Sequence, residues 1–358
     1  MKLLALLGYP RPHGHTARLA DLFLKGAAAA GAEIDRAELP TMNIHPCLGC
    51  YACWTKTPGQ CVQQDDMAGL LERFMAADLV FIASPIYAFS VSSYMKQFME
   101  RTLPLFNPSA EIDANGVEHN KWRNPGRGPK RLAALLVAGL KTPGIFKPVT
   151  GMMELYAEEV HMQCSGIMLR PESSAMRFPQ AKPLRAKAIL TGCERAGAEF
   201  VTKPRISQAL LDDIAAPLLA DLPHFVEYSR VFWEHALESG DECDAAGEAA
   251  GLDMRILIRE MVRNADLAAL RSVTATLQFE FPDQHLVYTV TIRNGACSIM
   301  ESSCPAPTLL IRCPAALWAG VTQRTIAGVQ LLNHPDLHLE GDLQLFRRLP
   351  RYFPPPTD

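Results

Sequence analysis

The stretch Lys2-Leu-Leu-Ala-Leu-Leu-Gly-Tyr-Pro-Arg-Pro-His-Gly-His-Thr16 decides the fold of the N-terminal part of the chain. After Lys2 it opens with a continuous apolar run, which is typical of a strand buried on both faces of a parallel sheet. A loop of Gly, Pro and His residues follows. Apolar residues at helical spacing then predict a helix over 16–30. The stretch therefore predicts one strand–loop–helix unit.

This order of strand, loop and helix is repeated further along the chain. Strands are predicted at 2–7, 33–38, 78–84, 132–139 and 166–170, and helices at 16–30, 67–76, 91–101, 146–163 and 184–203. The alternation predicts a doubly wound α/β fold with a parallel five-stranded sheet. Right-handed crossovers place the loops after the strands at one edge, where such sheets bind ligands. Three loops qualify there (8–16, 84–90 and 139–144), and a cysteine-rich loop leaves the same edge after the second strand.

The second half of the chain has a different pattern. Residues 205–238 are predicted to be a helical extension of the first domain (1–204), and the small, acidic segment 239–251 a linker. Residues 273–281 and 286–293 alternate between apolar and polar side chains, and Asn294-Gly295 predicts a tight turn. Residues 252–358 therefore predict an antiparallel α+β domain. Residues 104–129, between the third and fourth strands, predict a polar excursion over the surface.

Bulk composition limits the classes of function. A chain of 358 residues suggests two domains. Its net charge of −3 argues against a nucleic acid or an anionic membrane as the main partner. No stretch approaches the roughly 20 apolar residues of a transmembrane helix, and the N-terminal apolar run is too short for a signal peptide. We therefore expect a cytoplasmic protein with reduced cysteines.

Four cysteines lie within fifteen residues: Cys47, Cys50, Cys53 and Cys61, in a C-x2-C-x2-C-x7-C run. Thiolates at this spacing can converge on one metal centre, and iron–sulfur clusters use such compact runs. Zinc more often takes two separated pairs. The alternative is a metal-free loop whose thiols only pack or form a redox-sensing pair. The residues leave a cluster, free thiols and zinc all open.

Two of the loops carry residues suited to binding a planar phosphate ester. In 8–16, a strand leads into a helix N-terminus, and Arg11, His13, His15 and Thr16 add side-chain donors for an anion. In loop 84–90, Tyr87 and Phe89 could flank a planar ring. An ordinary connecting loop with half-buried aromatic residues would explain each loop equally well. Lys96 and Arg101, on the helix that follows, are predicted to be solvated or dimer-facing charges and not catalytic residues.

Together these features resemble a known family. About residues 1–200 resemble the NAD(P)H-dependent FMN reductases of the flavodoxin-like fold, in the branch of the iron–sulfur flavoproteins. The resemblance rests on loop 8–16, the four cysteines with Asp65-Asp66, and Ser84-Pro-Ile-Tyr87 followed by Lys96 and Arg101. It implies a bound FMN, with cofactor-binding residues Tyr9, Arg11, His13, His15, Thr16, Pro85, Ile86, Tyr87, Phe89 and Gly139. It also implies a 4Fe–4S cluster on Cys47, Cys50, Cys53 and Cys61.

Three features depart from the family pattern. Tyr9 replaces the usual Ser and His15 the usual Asn, so the grip on the phosphate differs. The seven-residue gap before Cys61 is wide for the cluster-binding branch.

Residues 252–353 resemble the sterol-carrier-protein-2 (SCP2) lipid-binding domain. The resemblance rests on Leu277-Gln-Phe-Glu-Phe281, on Tyr288-Thr-Val-Thr-Ile292 with its Asn-Gly turn, and on Leu339-Glu-Gly-Asp-Leu343 with the helix after it. It implies an apolar tunnel for acyl chains or sterols. The alternative is a solid core that serves only in docking or dimerisation.

The resulting hypothesis is a homo-oligomeric FMN-dependent oxidoreductase that takes electrons from NAD(P)H or ferredoxin. Its small-molecule acceptor would be an apolar compound, such as a quinone, a sterol or an acyl compound, presented by the SCP2-like domain. The alternative is a lipid carrier or sensor whose flavodoxin-like half is vestigial or regulatory. Retention of flavin distinguishes the two.

Overall fold

The computed structural model of the protein describes residues 1–112, 116, 118–124, 126–177, 183–239, 254–322, 326, 328–332 and 334–354. Contacts divide the described chain into two compact units. The first is built mainly from residues 1–176 and 185–226, and the second from 227–239 and 254–354. The predicted domain boundaries stay predictions, since residues 240–251 of the predicted linker lie outside the described residues.

The first unit contains a doubly wound parallel sheet, as predicted. Its strands, with those of a neighbouring hairpin, are β1 (Lys2–Leu7), β2 (Glu33–Glu38), β3 (Leu79–Tyr87), β4 (Ser90–Val91), β5 (Phe106–Ile112), β6 (Glu118–Trp122), β7 (Arg131–Val137) and β8 (Gln163–Arg170). Five strands run parallel in the order β2-β1-β3-β7-β8, and the short β4 pairs antiparallel with the end of β3. The central strands β1, β3 and β7 are almost wholly buried. Their continuous apolar runs follow from cover on both faces.

Helices cover the sheet. Those whose residues fall wholly or largely in this unit are α1 (His15–Ala29), α2 (Ala52–Thr55), α3 (Met67–Ala76), α4 (Ser93–Glu100), α5 (Lys147–Glu159), α6 (Pro183–Thr202) and α7 (Gln208–Ala215), followed by α8 (Leu222–Ser239). Helices α1 and α6 approach closely: a Cβ on Gly26 would overlap the carbonyl of Glu194, and one on Gly197 the carbonyl of Phe23. Only glycine allows this contact between the backbones.

In this unit one feature was not predicted and one prediction was wrong. Within the predicted surface excursion, residues 106–122 form the antiparallel hairpin β5–β6, with the rings of Phe106 and Trp122 in edge-on contact at 5.7 Å. The helix predicted to reach residue 163 ends at Glu159, because His161 adopts a left-handed backbone (φ 50°) that a helix cannot continue through.

The second unit is a mixed sheet with helices. It contains α9 (Met254–Arg263), β9 (Ala275–Phe281), β10 (Leu286–Arg293), β11 (Ala296–Met300), β12 (Leu309–Arg312), α10 (Ala315–Thr322), α11 (Gly328–Leu332), β13 (His338–Gly341) and α12 (Leu343–Tyr352). The strand order is β11-β10-β9-β12-β13, and β12 runs parallel to β9. The prediction of an antiparallel unit was therefore wrong at this pair. Hairpin signals report only strands adjacent in sequence, and β12 reaches the free edge of β9 by a crossover.

The alternating pattern places the second core where it was predicted. Leu277, Phe279 and Phe281 of β9 are fully buried, and Phe279 meets Trp318 of α10 edge-on at 5.1 Å. The apolar face of α12 packs into the same core. Asn294 and Gly295 both have positive φ (53° and 76°), which confirms the tight turn between β10 and β11.

Candidate functional site

The strand order brings three of the predicted loops together. Strands β1, β3 and β7 are neighbours and parallel, so the loops that follow them leave the same edge of the sheet. From β1 the chain first pairs β2 on one side and then β3 on the other. This reversal is the topological switch point, where doubly wound sheets bind their ligands.

The loop after β1 ends at an uncapped helix N-terminus. Gly14 occupies the N-cap of α1, and in the described structure no side chain caps this turn and no acidic residue lies in it. Thr16 is buried in the first turn, whereas Arg11 and His13 are exposed and His15 is half-buried. Backbone N–H groups and the positive end of the helix dipole therefore face the loop. This arrangement can hold a phosphate.

Tyr9 is placed differently from the other loop residues. Its ring is buried, and its hydroxyl accepts a hydrogen bond from Arg36 Nη2 at 3.4 Å. Burial, with a smaller contribution from Glu38, raises the pKa of Tyr9, so the hydroxyl stays protonated. Arg36 is itself paired with Asp21 and Glu38. The Tyr9 side chain thus anchors the loop to β2.

Two buried serines join the first loop to the loop after β3. Ser92 Oγ donates a hydrogen bond to the Gly8 carbonyl, and the Ser92 N–H donates to Ser84 Oγ at 2.9 Å. Ser84 Oγ donates in turn to the carbonyl of Pro85 at 2.9 Å. Sequence reasoning gave Ser92 no role. The helix predicted over 91–101 included Ser92, whereas α4 begins at Ser93 and Ser92 is its N-cap, a position that favours serine.

The tip of the second loop is strained. β3 and β4 are joined by Ala88 and Phe89, which both adopt left-handed backbone conformations (φ 46° and 64°) that favour glycine. The turn leaves Tyr87 45% and Phe89 62% exposed, whereas Pro85 and Ile86 are buried. Consecutive strained residues cluster at functional sites. Here they present two aromatic rings at the edge of the sheet.

The third loop offers space. Nothing lies within 4 Å of the point where a Cβ on Gly139 would stand, so the backbone there is open to a ligand. With the uncapped helix and the two exposed rings, this opening fits a planar cofactor that carries a phosphate. The observed features therefore fit FMN.

The four cysteines line one small cavity of about 70 Å³, together with Arg101. Cys61 returns to the others because α2 and a turn fold the seven-residue gap back, and Gly59 N–H donates to the Cys53 carbonyl at 2.9 Å. Burial first, and then the other three thiols, raise the pKa of Cys53. Within the described residues, which include the whole loop, no group of three or more His, Cys, Asp or Glu side chains is arranged to hold a metal ion. The thiols share a cavity but do not form a metal-ligand set.

The prediction that Arg101 is a charge at the surface was wrong. Its side chain is only 1% exposed, and its guanidinium donates to both carboxylate oxygens of Asp65 (2.7 and 3.0 Å) and to the His45 carbonyl at 2.6 Å. Burial opposes ionisation of Asp65, but the hydrogen bonds from Arg101 and from two backbone N–H groups outweigh it and lower the pKa of Asp65. Lys96 is exposed, as predicted, and pairs with Glu100.

Comparison with known proteins identifies two families in the chain. The NADPH-dependent FMN reductase family matches residues 1–124, and the SCP-2 sterol transfer family matches residues 257–354. Each match covers less than half of the chain. With the order of the parallel strands, the first match confirms the flavodoxin-like class of the N-terminal fold.

Its curated relatives are named iron–sulfur flavoproteins. One from Archaeoglobus fulgidus is 38% identical over 104 residues, which are 29% of this chain and 46% of the relative. Another, from Methanocaldococcus jannaschii, is 35% identical over 105 residues, 29% of this chain and 53% of the relative. The chain spans about half the length of the curated relatives it matches.

Solved structures are more distant. An NAD(P)H:quinone oxidoreductase from Methanothermobacter marburgensis is 16% identical, with 56% of this chain and 95% of that chain covered and a TM-score of 0.42. A putative quinone reductase from Klebsiella pneumoniae is 15% identical, with 63% and 99% covered and a TM-score of 0.43. At these values the likeness carries no argument about function. Among the described residues, no helix is both long and apolar enough to cross a membrane.

Proposed function

We propose that the chain is an FMN-dependent oxidoreductase that takes electrons from NAD(P)H. The observation that carries this proposal is the meeting of three loops at the switch point of the sheet: an uncapped helix N-terminus, a strained turn with two exposed aromatic rings, and an open glycine. The FMN reductase match over residues 1–124 supports it.

The residues of the chain bind and orient the cofactor. The first turn of α1, with Arg11 and Thr16, would hold the phosphate, and Tyr87 and Phe89 would lie against the ring. The Ser84–Ser92–Gly8 hydrogen bonds fix these two loops to each other. When bound, FMN supplies the hydride and electron chemistry, and no side chain need act as an acid or base.

An iron–sulfur cluster on Cys47, Cys50, Cys53 and Cys61 is a separate proposal. The shared cavity and the names of the curated relatives support it. The thiols as placed do not form a metal-ligand set. Iron and sulfide counts on anaerobically purified protein test the proposal: about four irons per chain that are lost in Cys50→Ser support it, and no iron after reconstitution excludes it.

For the second domain we propose an apolar ligand, which would be the electron acceptor itself: a quinone, a sterol or an acyl compound. The SCP2 match over residues 257–354 supports an apolar ligand. Tethering the acceptor-binding domain to the flavin domain would raise the local concentration of acceptor without any new contact.

The decisive experiment is an absorption spectrum of the purified full chain, with flavin released and identified. Bound FMN at about one per chain is the expected result. The double variant Arg11→Ala, Thr16→Ala should weaken FMN binding by at least tenfold, because each change removes a donor to a buried phosphate, worth ~1–3 kcal/mol. Arg18→Ala, which removes an exposed charge from the same helix, is the matched control.

The rival function is a lipid carrier or sensor with a vestigial flavodoxin-like half. A colourless chain that binds no added FMN but retains an acyl probe would favour it. Unchanged FMN affinity in the double variant would instead overturn only the assignment of the phosphate loop.

A further inference from the structure

A buried cluster of charges lies behind the loop that follows β7, in residues to which the sequence analysis gives no role. Glu172, two residues beyond β8, is fully buried and has a left-handed backbone (φ 52°). Its carboxylate accepts a hydrogen bond from Lys141 Nζ and lies 3.8 Å from Arg170 Nη2. Two cations against one carboxylate leave the cluster with one net positive charge.

The cluster fixes the shape of this loop. The Glu172 N–H donates to the Leu140 carbonyl at 3.0 Å, and its carboxylate accepts the N–H groups of Leu218 and Leu219 at 2.7 and 3.2 Å. Lys141 Nζ donates to the Leu219 carbonyl at 2.8 Å, and its side chain is 15% exposed. The loop is thus held from both sides, and its lysine cannot swing freely into solvent.

Such a cluster is expensive to build. Burying three charged groups costs several kcal/mol per ion before pairing, and apolar residues of similar size would often stabilise the fold as well. A non-glycine residue in the left-handed region adds strain of the kind found at functional sites. Gly139, two residues before Lys141, is the open backbone of the candidate flavin site. The cluster therefore holds Lys141 in the same loop that carries this open backbone.

We propose that Lys141, positioned by Glu172, makes the site bind reduced FMN more tightly than oxidised FMN. This inference rests on the proposed function. Reduction transfers a hydride, that is, one proton together with two electrons, from NAD(P)H to the flavin, and NAD(P)⁺ leaves. The ring thereby gains one negative charge, and a nearby buried cation stabilises it by Coulomb attraction.

The charge that this requires persists at neutral pH. Burial lowers the pKa of Arg170 to about 10, with Glu172 opposing the shift, so the guanidinium remains protonated at pH 7. It donates to the carbonyls of Ile214 and Ala216, both at 2.8 Å, which hold it within the first unit. Loss of Lys141 would therefore bring the cluster to neutrality, with Arg170 and Glu172 still paired.

The test is the midpoint potential of FMN bound to the full chain, measured by equilibration with a reference dye. Lys141→Met should reduce the preference for reduced over oxidised FMN about tenfold, which lowers the potential by about 30 mV for a two-electron couple. Lys141→Arg keeps the charge and should restore the potential. Lys147→Met, which removes an exposed lysine at the start of α5, is the matched control and should leave it unchanged.

A purely structural role for Lys141 would weaken both redox states alike and leave the potential unmoved, and that result overturns the inference. If Lys141→Met does not fold, Lys141→Gln keeps a donor toward the Leu219 carbonyl and gives the same comparison. Wild-type protein that binds no FMN refutes the proposed function. Wild-type protein that binds FMN, with an unchanged potential in the variants, refutes only this inference.

Discussion

Removing the guanidinium of Arg101 should destabilise the first unit severely. The substitution Arg101→Met keeps most of the apolar stem but leaves the fully buried Asp65 carboxylate with the N–H groups of His45 (2.9 Å) and Met67 (3.1 Å), and with His45 Nδ1 at 3.7 Å. Breaking a buried ion pair by removing one partner costs about 3–5 kcal/mol. At roughly 2–4 °C per kcal/mol for a unit of this size, the Tm should fall by about 6–20 °C.

The assay is thermal and urea unfolding of the full chain followed by circular dichroism, with Lys96→Met as the matched control. Lys96 lies in α4, which ends one residue before Arg101, and it pairs with Glu100. Both side chains are about half exposed, so its loss should cost about 0.5 kcal/mol or less. Equal destabilisation by the two substitutions would show that burial of the Arg101 pair does not govern its energy.

Acid adds a second check. The pKa of Asp65 is lower in the folded protein than in the unfolded chain. The ion pair therefore contributes its full stabilisation at any pH above the ordinary pKa of a carboxyl group. It loses that stabilisation as the pH falls through the lowered pKa of the folded protein. The gap in unfolding free energy between wild type and Arg101→Met should therefore narrow in acid. A gap that stays constant down to pH 2 would refute the reasoning.

Three further outcomes are expected. Ala88→Gly should raise the free energy of unfolding by up to about 1 kcal/mol, since glycine adopts φ 46° without strain; a loss of stability in urea would contradict this. Gly197→Ala should cost at least 3 kcal/mol, because its Cβ would overlap the Phe23 carbonyl, whereas Gly151→Ala, with open space around its Cβ, should be neutral or stabilising. In a series of acceptors that share one head group, those with longer apolar tails should have lower KM values and should displace a fluorescent acyl probe from the full-length protein. A KM that does not depend on tail length would contradict the proposed apolar acceptor.

Periodicity located most of the structure because burial imposes it. The continuous apolar runs at 2–7 and 132–139 are typical of strands covered on both faces, and the alternation over 273–281 is typical of a strand covered on one. The pairing of β12 with β9 could not be read in this way, since it joins strands that are distant in sequence. The β5–β6 hairpin was missed because its strands are largely exposed and polar.

For the site residues, too, part of the arrangement could be predicted from the sequence and part could not. Loop positions followed from the strand order, so the sequence could bring Thr16, Tyr87 and Gly139 to one edge. It could not show which side chains are buried. Tyr9 is hydrogen-bonded to Arg36, 27 residues away, and Arg101 is hydrogen-bonded to Asp65, 36 residues away. The Lys141–Glu172 pair escaped detection for the same reason, since neither residue belongs to a local motif.

The strand order also bears on how such a protein could arise by gene fusion. The FMN reductase match ends at residue 124, yet β7, which starts at Arg131, lies in the sheet between β3 and β8. A piece of gene cut at that point would encode a sheet with β3, its most buried strand, as a bare edge, and such edges pair with other chains and aggregate. The smallest piece that keeps β3 covered on both sides must therefore run at least through β7. A junction with the SCP2 domain that preserves this cover falls beyond Val137, whatever the extent of the recognisable sequence similarity.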